Sequence, residues 1–106
     1  MITFDDFMKL EIKIGTVTVA DRVQGTDKLI RLELDCGSET RQVVAGLAPS
    51  YMSEQLVGKQ IPVLVNLEPR KLRGVESKGM ILAVVVEGKA VLLMPDDHVP
   101  PGSVVR

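Results

Sequence analysis

Four basic side chains crowd one short stretch of this 106-residue chain, "NLEPRKLRGVESKGM", residues 66–80. Arg70, Lys71 and Arg73 lie between Pro69 and Gly74, and Lys78 follows. Cations at this density, on a segment bounded by Pro and Gly, suit contact with phosphate oxygens. Asn66 and Ser77 flank them with side chains that hydrogen-bond to bases or riboses. Leu72 and Met80 supply apolar surface on which a base can lie. A solvated charged turn is the plainer interpretation, and charge alone favours it. The place of the segment within the fold has to decide between the two.

Other reactive residue types are sparse. His98 is the only histidine and Cys36 the only cysteine. That excludes a zinc set and leaves a Cys–His nucleophile pair as a formal combination only. His98 reads as a solvated residue of a Pro-rich loop, and Asp96-Asp97 as turn residues before Pro100. Two stretches imitate phosphate loops. "LVGKQ" has Gly58-Lys59, but Ser53 stands where the first glycine belongs and Gln60 where the hydroxyl belongs. Gly74 and Gly79 have the right separation, but Met80 replaces the lysine. Neither is a nucleotide site. No catalytic residue, metal or cofactor is expected.

The elements around the basic segment are mostly strands. Thr3 and Asp6 have the spacing of a capping box on a short helix, with Phe4 and Phe7 expected in the core. Residues 11–19 read as a first strand whose apolar phase flips at Gly15-Thr16, which predicts a bulge there. "LIRLELD" alternates, Ile30, Leu32 and Leu34 facing one way and Arg31, Glu33 and Asp35 the other. "TRQVVAGL" is a third strand, residues 49–56 a short helix, and "QIPVLVN" a fourth strand whose Pro62 must avoid a pairing position. "GMILAVVV" is apolar on both faces, as a central strand is, and Glu87-Gly88-Lys89 turns it back into "AVLLM". This order predicts an all-β fold. It suits a five-stranded Greek-key barrel of the oligonucleotide/oligosaccharide-binding (OB) type, with short helices at the N-terminus and between strands 3 and 4. An open sandwich is the alternative. In such a barrel the basic segment joins two strands where oligonucleotides bind, which shifts the balance from solvated turn to binding site.

Composition bounds the partner. One domain, residues 1–106, is expected, and its 45% hydrophobic content supports a globular core. With 13 basic and 14 acidic residues the chain is not a general nucleic-acid coat, which would be strongly basic. Aromatic content is 3%, limited to Phe4, Phe7 and Tyr51, so the stacking platform of an indiscriminate single-strand binder is missing. A shaped partner, structured RNA, fits best. The single cysteine predicts a reducing compartment. No apolar run reaches membrane-span length, and the N-terminus is acidic where a signal peptide is basic. A soluble cytoplasmic protein is expected. Apolar residues near both ends, Phe4, Phe7, Met8 and residues 91–94, predict a homodimer.

Together, "RQVVAGL", "LVGKQIPVLV" and "NLEPRKLRGVESKGM" closely resemble the tRNA-binding domain family. That family includes the C-terminal or separate-subunit module of methionyl-tRNA synthetases, free-standing structure-specific tRNA-binding proteins, and a secretion-chaperone branch. The resemblance runs from "FDDFMKLEIKIGTV" to "VPPGSVVR", with "TDKL" at residues 26–29 the looser match. It implies an OB barrel, usually homodimeric, that binds tRNA by shape rather than by anticodon. Matched position by position, it implies tRNA contacts at Lys28, Arg41, Asn66, Arg70, Lys71, Arg73, Ser77 and Met80. Lys78 is added on charge. The chaperone branch departs from the Ser-x-x-Met ending kept here as Ser77 to Met80, which favours the tRNA branch. The chemistry of a synthetase would then lie on another chain or domain, and the alternative is a homodimeric chaperone for unfolded polypeptides. A free-standing protein, a separate subunit and an excised domain all fit these limits.

Overall fold

The computed structural model describes residues 1–106. Ten strands and two single-turn helices follow one another: α1 (Phe4–Phe7), β1 (Ile12–Arg22), β2 (Ile30–Asp35), β3 (Thr40–Ala45), α2 (Ser53–Leu56), β4 (Gln60–Leu64), β5 (Arg70–Leu72), β6 (Val75–Ser77), β7 (Met80–Ile81), β8 (Ala83–Val86), β9 (Lys89–Leu92) and β10 (Val104–Val105). Five of them, in the order β3-β2-β1-β4-β7, wrap into a nearly closed OB-like barrel. β1 is long enough to serve both halves: residues from Ile12 to Thr16 pair with β4, and those from Thr16 to Arg22 pair with β2. β10 adds to β1 at Ile12 and Lys13.

Alternation makes the core. Ile30, Leu32 and Leu34 of β2 point inward and are fully buried, with Val43 of β3, Ile61 and Val63 of β4, and Leu47 and Leu56 from the α2 connection. Gly15 lets β1 and β2 close up, since a Cβ there would sit 3.0 Å from Leu34 Cβ and 3.3 Å from Cys36 Sγ. Pro62 lies opposite Ile14. Ile14 turns its own N–H to Ser103 and its carbonyl to Gly102, so the missing proline donor leaves nothing unpaired.

Four expectations are corrected. The bulge in β1 falls between Val17 and Val19, two residues beyond Gly15-Thr16, where the Thr18 hydroxyl donates to the Glu33 carbonyl. Phe4 and Phe7 are not core: Phe4 is 73% exposed and α1 buries no residue, because one turn held by the Thr3–Asp6 capping box lies on the barrel's outside. The second helix spans Ser53–Leu56 only; of the residues before it, 49–50 belong to a turn and 51–52 are irregular. "GMILAVVV" is not one central strand. Only Met80 and Ile81 pair with β4. After Leu82 the chain leaves the barrel and folds back on itself as the β8–β9 hairpin, around Glu87 (φ 51°) and Gly88 (φ 78°). One face of that hairpin, with Ala90 and Leu92, packs on the core. The other leaves Val84, Val86 and Val91 outward. No helix is long and apolar enough to cross a membrane.

Candidate nucleic-acid interface

The basic segment is an ordered hairpin. β5 and β6 pair Arg70 with Ser77, Lys71 with Glu76, and Leu72 with Val75. Arg73 (φ 53°) and Gly74 (φ 79°) form the two-residue turn. Both sit in the left-handed region that this tight hairpin turn demands. Glycine takes it freely; Arg73 accepts some strain. Alternation splits the cations. Arg70 and Leu72 share one face with Ser77, and Lys71 lies on the other with Glu76. Arg70, Lys71 and Arg73 are exposed, and none is paired with a carboxylate.

The hairpin is held against β3 at its base. The Val44 N–H donates to Ser77 Oγ (3.0 Å), and the Ser77 hydroxyl donates to the Gly79 carbonyl (3.0 Å). Lys78 N–H donates to the Gln42 carbonyl (2.8 Å), and Gln42 Nε2 to the Glu76 carbonyl (2.8 Å). Arg41 reaches the Lys78 carbonyl through Nη1 (2.9 Å) while its Nε meets Glu39 (2.7 Å). That hydrogen bond holds the Glu39 carboxyl below the usual carboxylate range. Gly79 completes the closure: at φ 151°, a Cβ would lie 2.9 Å from the Leu64 carbonyl.

The residues expected to touch RNA therefore divide. Arg70, Lys71, Arg73 and Lys28 present free cationic heads, and Met80 is 46% exposed. Ser77 is only 2% exposed and its hydroxyl is engaged on both sides. It is a buried anchor of the hairpin rather than a surface group, which corrects the expectation that its hydroxyl faces a base. Arg41 ties β3 to the hairpin base, and Lys78 is drawn toward Glu76 at 3.7 Å. Asn66 fastens the N-terminal segment to the end of β4, accepting from Glu11 N–H (2.9 Å) and donating to the Lys9 carbonyl (2.7 Å). One amide hydrogen and one lone pair stay available to another partner.

Gln42 escaped the sequence reading. It carries no charge, and only β2–β3 register places it beside Arg31, whose Nη1 donates to Gln42 Oε1 (3.0 Å). Arg31 also grips Asp21 and Glu33 at 3.0 and 2.8 Å. These hydrogen bonds, Asp21 before Glu33, push its pKa further above the arginine norm. A permanently charged arginine thus steadies the glutamine that steadies the hairpin.

Beside the hairpin runs a groove of about 510 Å³, twelve of whose sixteen lining residues are hydrophobic. Leu72 and Met80, Val85 and Ala90 of the β8–β9 hairpin, and Leu29 and Gly46 are among the residues that line it. Arg70 stands at its rim, and Lys28 immediately precedes Leu29. No three potential metal ligands come together anywhere in the chain.

A nearly closed five-stranded barrel with a cationic hairpin on the connection between its fourth and fifth strands is an OB-type module. The family model described as "Putative tRNA binding domain" matches residues 12–104. The chain belongs to the tRNA-binding domain family. It is 53% identical, over all 106 residues, to part of a methionine–tRNA ligase of Methanothrix thermoacetophila, and 52% identical over 102 residues to one of Archaeoglobus fulgidus. It spans 16% of the length of each of these relatives. Among solved structures, a MetRS-related protein of Pyrococcus horikoshii superposes over 100% of this chain and 98% of its own, with a TM-score of 0.94 and 39% identity. The chaperone CsaA of Bacillus anthracis superposes over 100% and 99%, with a TM-score of 0.92 and 36% identity.

Proposed function

We propose that this chain binds tRNA through its backbone and shape, without reading the anticodon, and catalyses no reaction itself. The observation that carries this is the β5–β6 hairpin: three unpaired cations on an ordered turn, anchored to β3 by four hydrogen bonds, donated by Val44 N–H to Ser77, by Lys78 N–H, and by the side chains of Gln42 and Arg41. A flexible charged loop would pay an ordering cost on binding, whereas this one presents its charges already placed. Arg70, Lys71, Arg73 and Lys28 meet phosphates, with Met80 and the free side of Asn66 beside them. Ser77, Arg41 and Lys78 hold the hairpin. The similarity to methionine–tRNA ligases supports work as an accessory domain or subunit of such an enzyme; a cytoplasmic setting and a homodimer are proposed with it, the second copy to cover the exposed Phe4, Met8, Leu93 and Met94.

Titration of the chain with unfractionated tRNA, with and without an excess of an unfolded polypeptide, tests this proposal. Saturable tRNA binding untouched by the polypeptide is expected. Binding of the polypeptide with none of tRNA would replace this function with that of a chaperone. A pulldown from the source cell that brings down a methionyl-tRNA synthetase would identify the partner.

A further inference from the structure

We propose that the groove between the two hairpins receives one unpaired nucleobase of the bound RNA, so that the chain selects RNA with a splayed base over plain duplex. This deepens the tRNA-binding proposal and rests on it. A groove of about 510 Å³ is of small-ligand size, and a base inside a duplex, stacked on both faces, cannot enter one. Bases of loops and ends can, and apolar side chains are sufficient walls for them. No aromatic ring lines this groove. Its walls are Leu72, Val85 and the flexible, polarisable Met80, which conforms to a flat face.

Charge selects the occupant. The hairpin pairing puts Arg70 on the face of Leu72, so a cation stands where the wall meets solvent. Lys28 immediately precedes Leu29 of the groove lining, and its carbonyl accepts from Ala48 N–H (3.0 Å), which ties this loop to the segment around Gly46. A cation of the lining, Arg70, and the adjacent Lys28 therefore border an interior that is mostly apolar. A nucleotide matches that order, with its base inside and its flanking phosphates outside. An apolar peptide segment would leave the cations without partners. Lys71, on the opposite hairpin face, belongs to a second backbone contact and not to the groove.

Gly46 offers a clean test. A Cβ added there meets no atom within 4 Å, and its backbone lies outside the left-handed region, so the backbone accepts a side chain and Gly46→Leu adds bulk to the groove lining. Val85→Glu, at a 73% exposed lining position, sets a carboxylate in the same groove. Wild type and both variants are titrated with unfractionated tRNA and with a fully paired RNA duplex, alongside thermal melting. The expected result is wild-type preference for tRNA, and a loss of about tenfold in tRNA affinity for Gly46→Leu, the scale of one base contact. Its melting and duplex affinity stay at wild-type values, and Val85→Glu shows the tRNA loss even if Gly46→Leu misfolds. Wild-type tRNA affinity in both folded variants would overturn the base pocket while leaving tRNA binding intact. So would a wild type that binds duplex as tightly as tRNA. A wild type that binds neither RNA would sink the parent proposal instead.

Discussion

Ser77 and Met80 lie three residues apart and face opposite fates. Ser77 is buried with its hydroxyl bridging Val44 N–H and the Gly79 carbonyl. Ser77→Ala strands a buried donor, so a loss of about 1–3 kcal/mol in stability is expected. A clearly lower thermal midpoint with an unchanged salt dependence of tRNA binding would show it. Met80 stands half exposed in the groove wall. Met80→Ala is expected to cost about 0.5 kcal/mol of stability or little more, while weakening tRNA binding. A large drop in melting for Met80→Ala would assign it to the core. Sequence alone could not separate the two. A small hydroxyl next to glycine and a methionine entering an apolar run each fit either role, and only the close passage of β3 over Ser77 decides. Cys36 is simpler: burial pushes its thiol upward, which keeps it unreactive in the folded chain.

At the scale of elements, the hairpin makes the electrostatic prediction. If Arg70, Lys71, Arg73 and Lys28 each neutralise a phosphate, tRNA affinity falls with salt at a log–log slope of roughly −2 to −4 per subunit. Replacing Arg70, Lys71 and Arg73 by alanine is expected to flatten that slope by about 2–3 units. An unchanged slope would reduce the hairpin to a solvated turn. Gln42→Ala tests placement rather than charge. It removes the link from Arg31 to the Glu76 carbonyl but no cation. The expectation is weaker tRNA binding by about 0.5–1.5 kcal/mol with the slope preserved. Equal affinity would mean that Ser77, Lys78 and Arg41 anchor the hairpin without the glutamine side chain. The basic cluster and its Pro and Gly boundaries were legible in sequence. Its hairpin form was harder to read, because the turn uses Arg73 in a conformation that Asn or Asp more often adopts.

The whole molecule leaves apolar surface unpartnered along one side. Two shallow grooves share Val104, Val105 and Arg106. One continues into α1 through Phe7 and Met8, the other to Leu93 and Met94. Phe4, Leu10, Leu93, Met94 and Val104 are all exposed there. A patch of this extent on a small barrel calls for a cover, and a second copy packed about a two-fold axis would supply one. Light scattering at micromolar concentration is expected to give twice the 11.6 kDa chain mass. Leu93→Asp is expected to return it to the monomer. A wild type that scatters as a monomer would end the proposal.

By itself the sequence determined the all-β class, the alternating core of Ile30, Leu32 and Leu34, the cationic segment and the family, because these depend on local periodicity, residue type and motif spacing. Tertiary structure decided what depends on which strands meet. Glycine at 79 allows the chain between β6 and β7 to pass close to both β3 and β4, and that approach buries Ser77, turns Arg41 and Gln42 into anchors and shapes the groove beside Arg70. It also decided that the apolar run after Met80 leaves the barrel. Two paired residues complete the fifth strand against β4, and the valines that follow find a partner in their own hairpin. Hydrophobicity records that a residue can be covered; only the register of the surrounding strands determines by what.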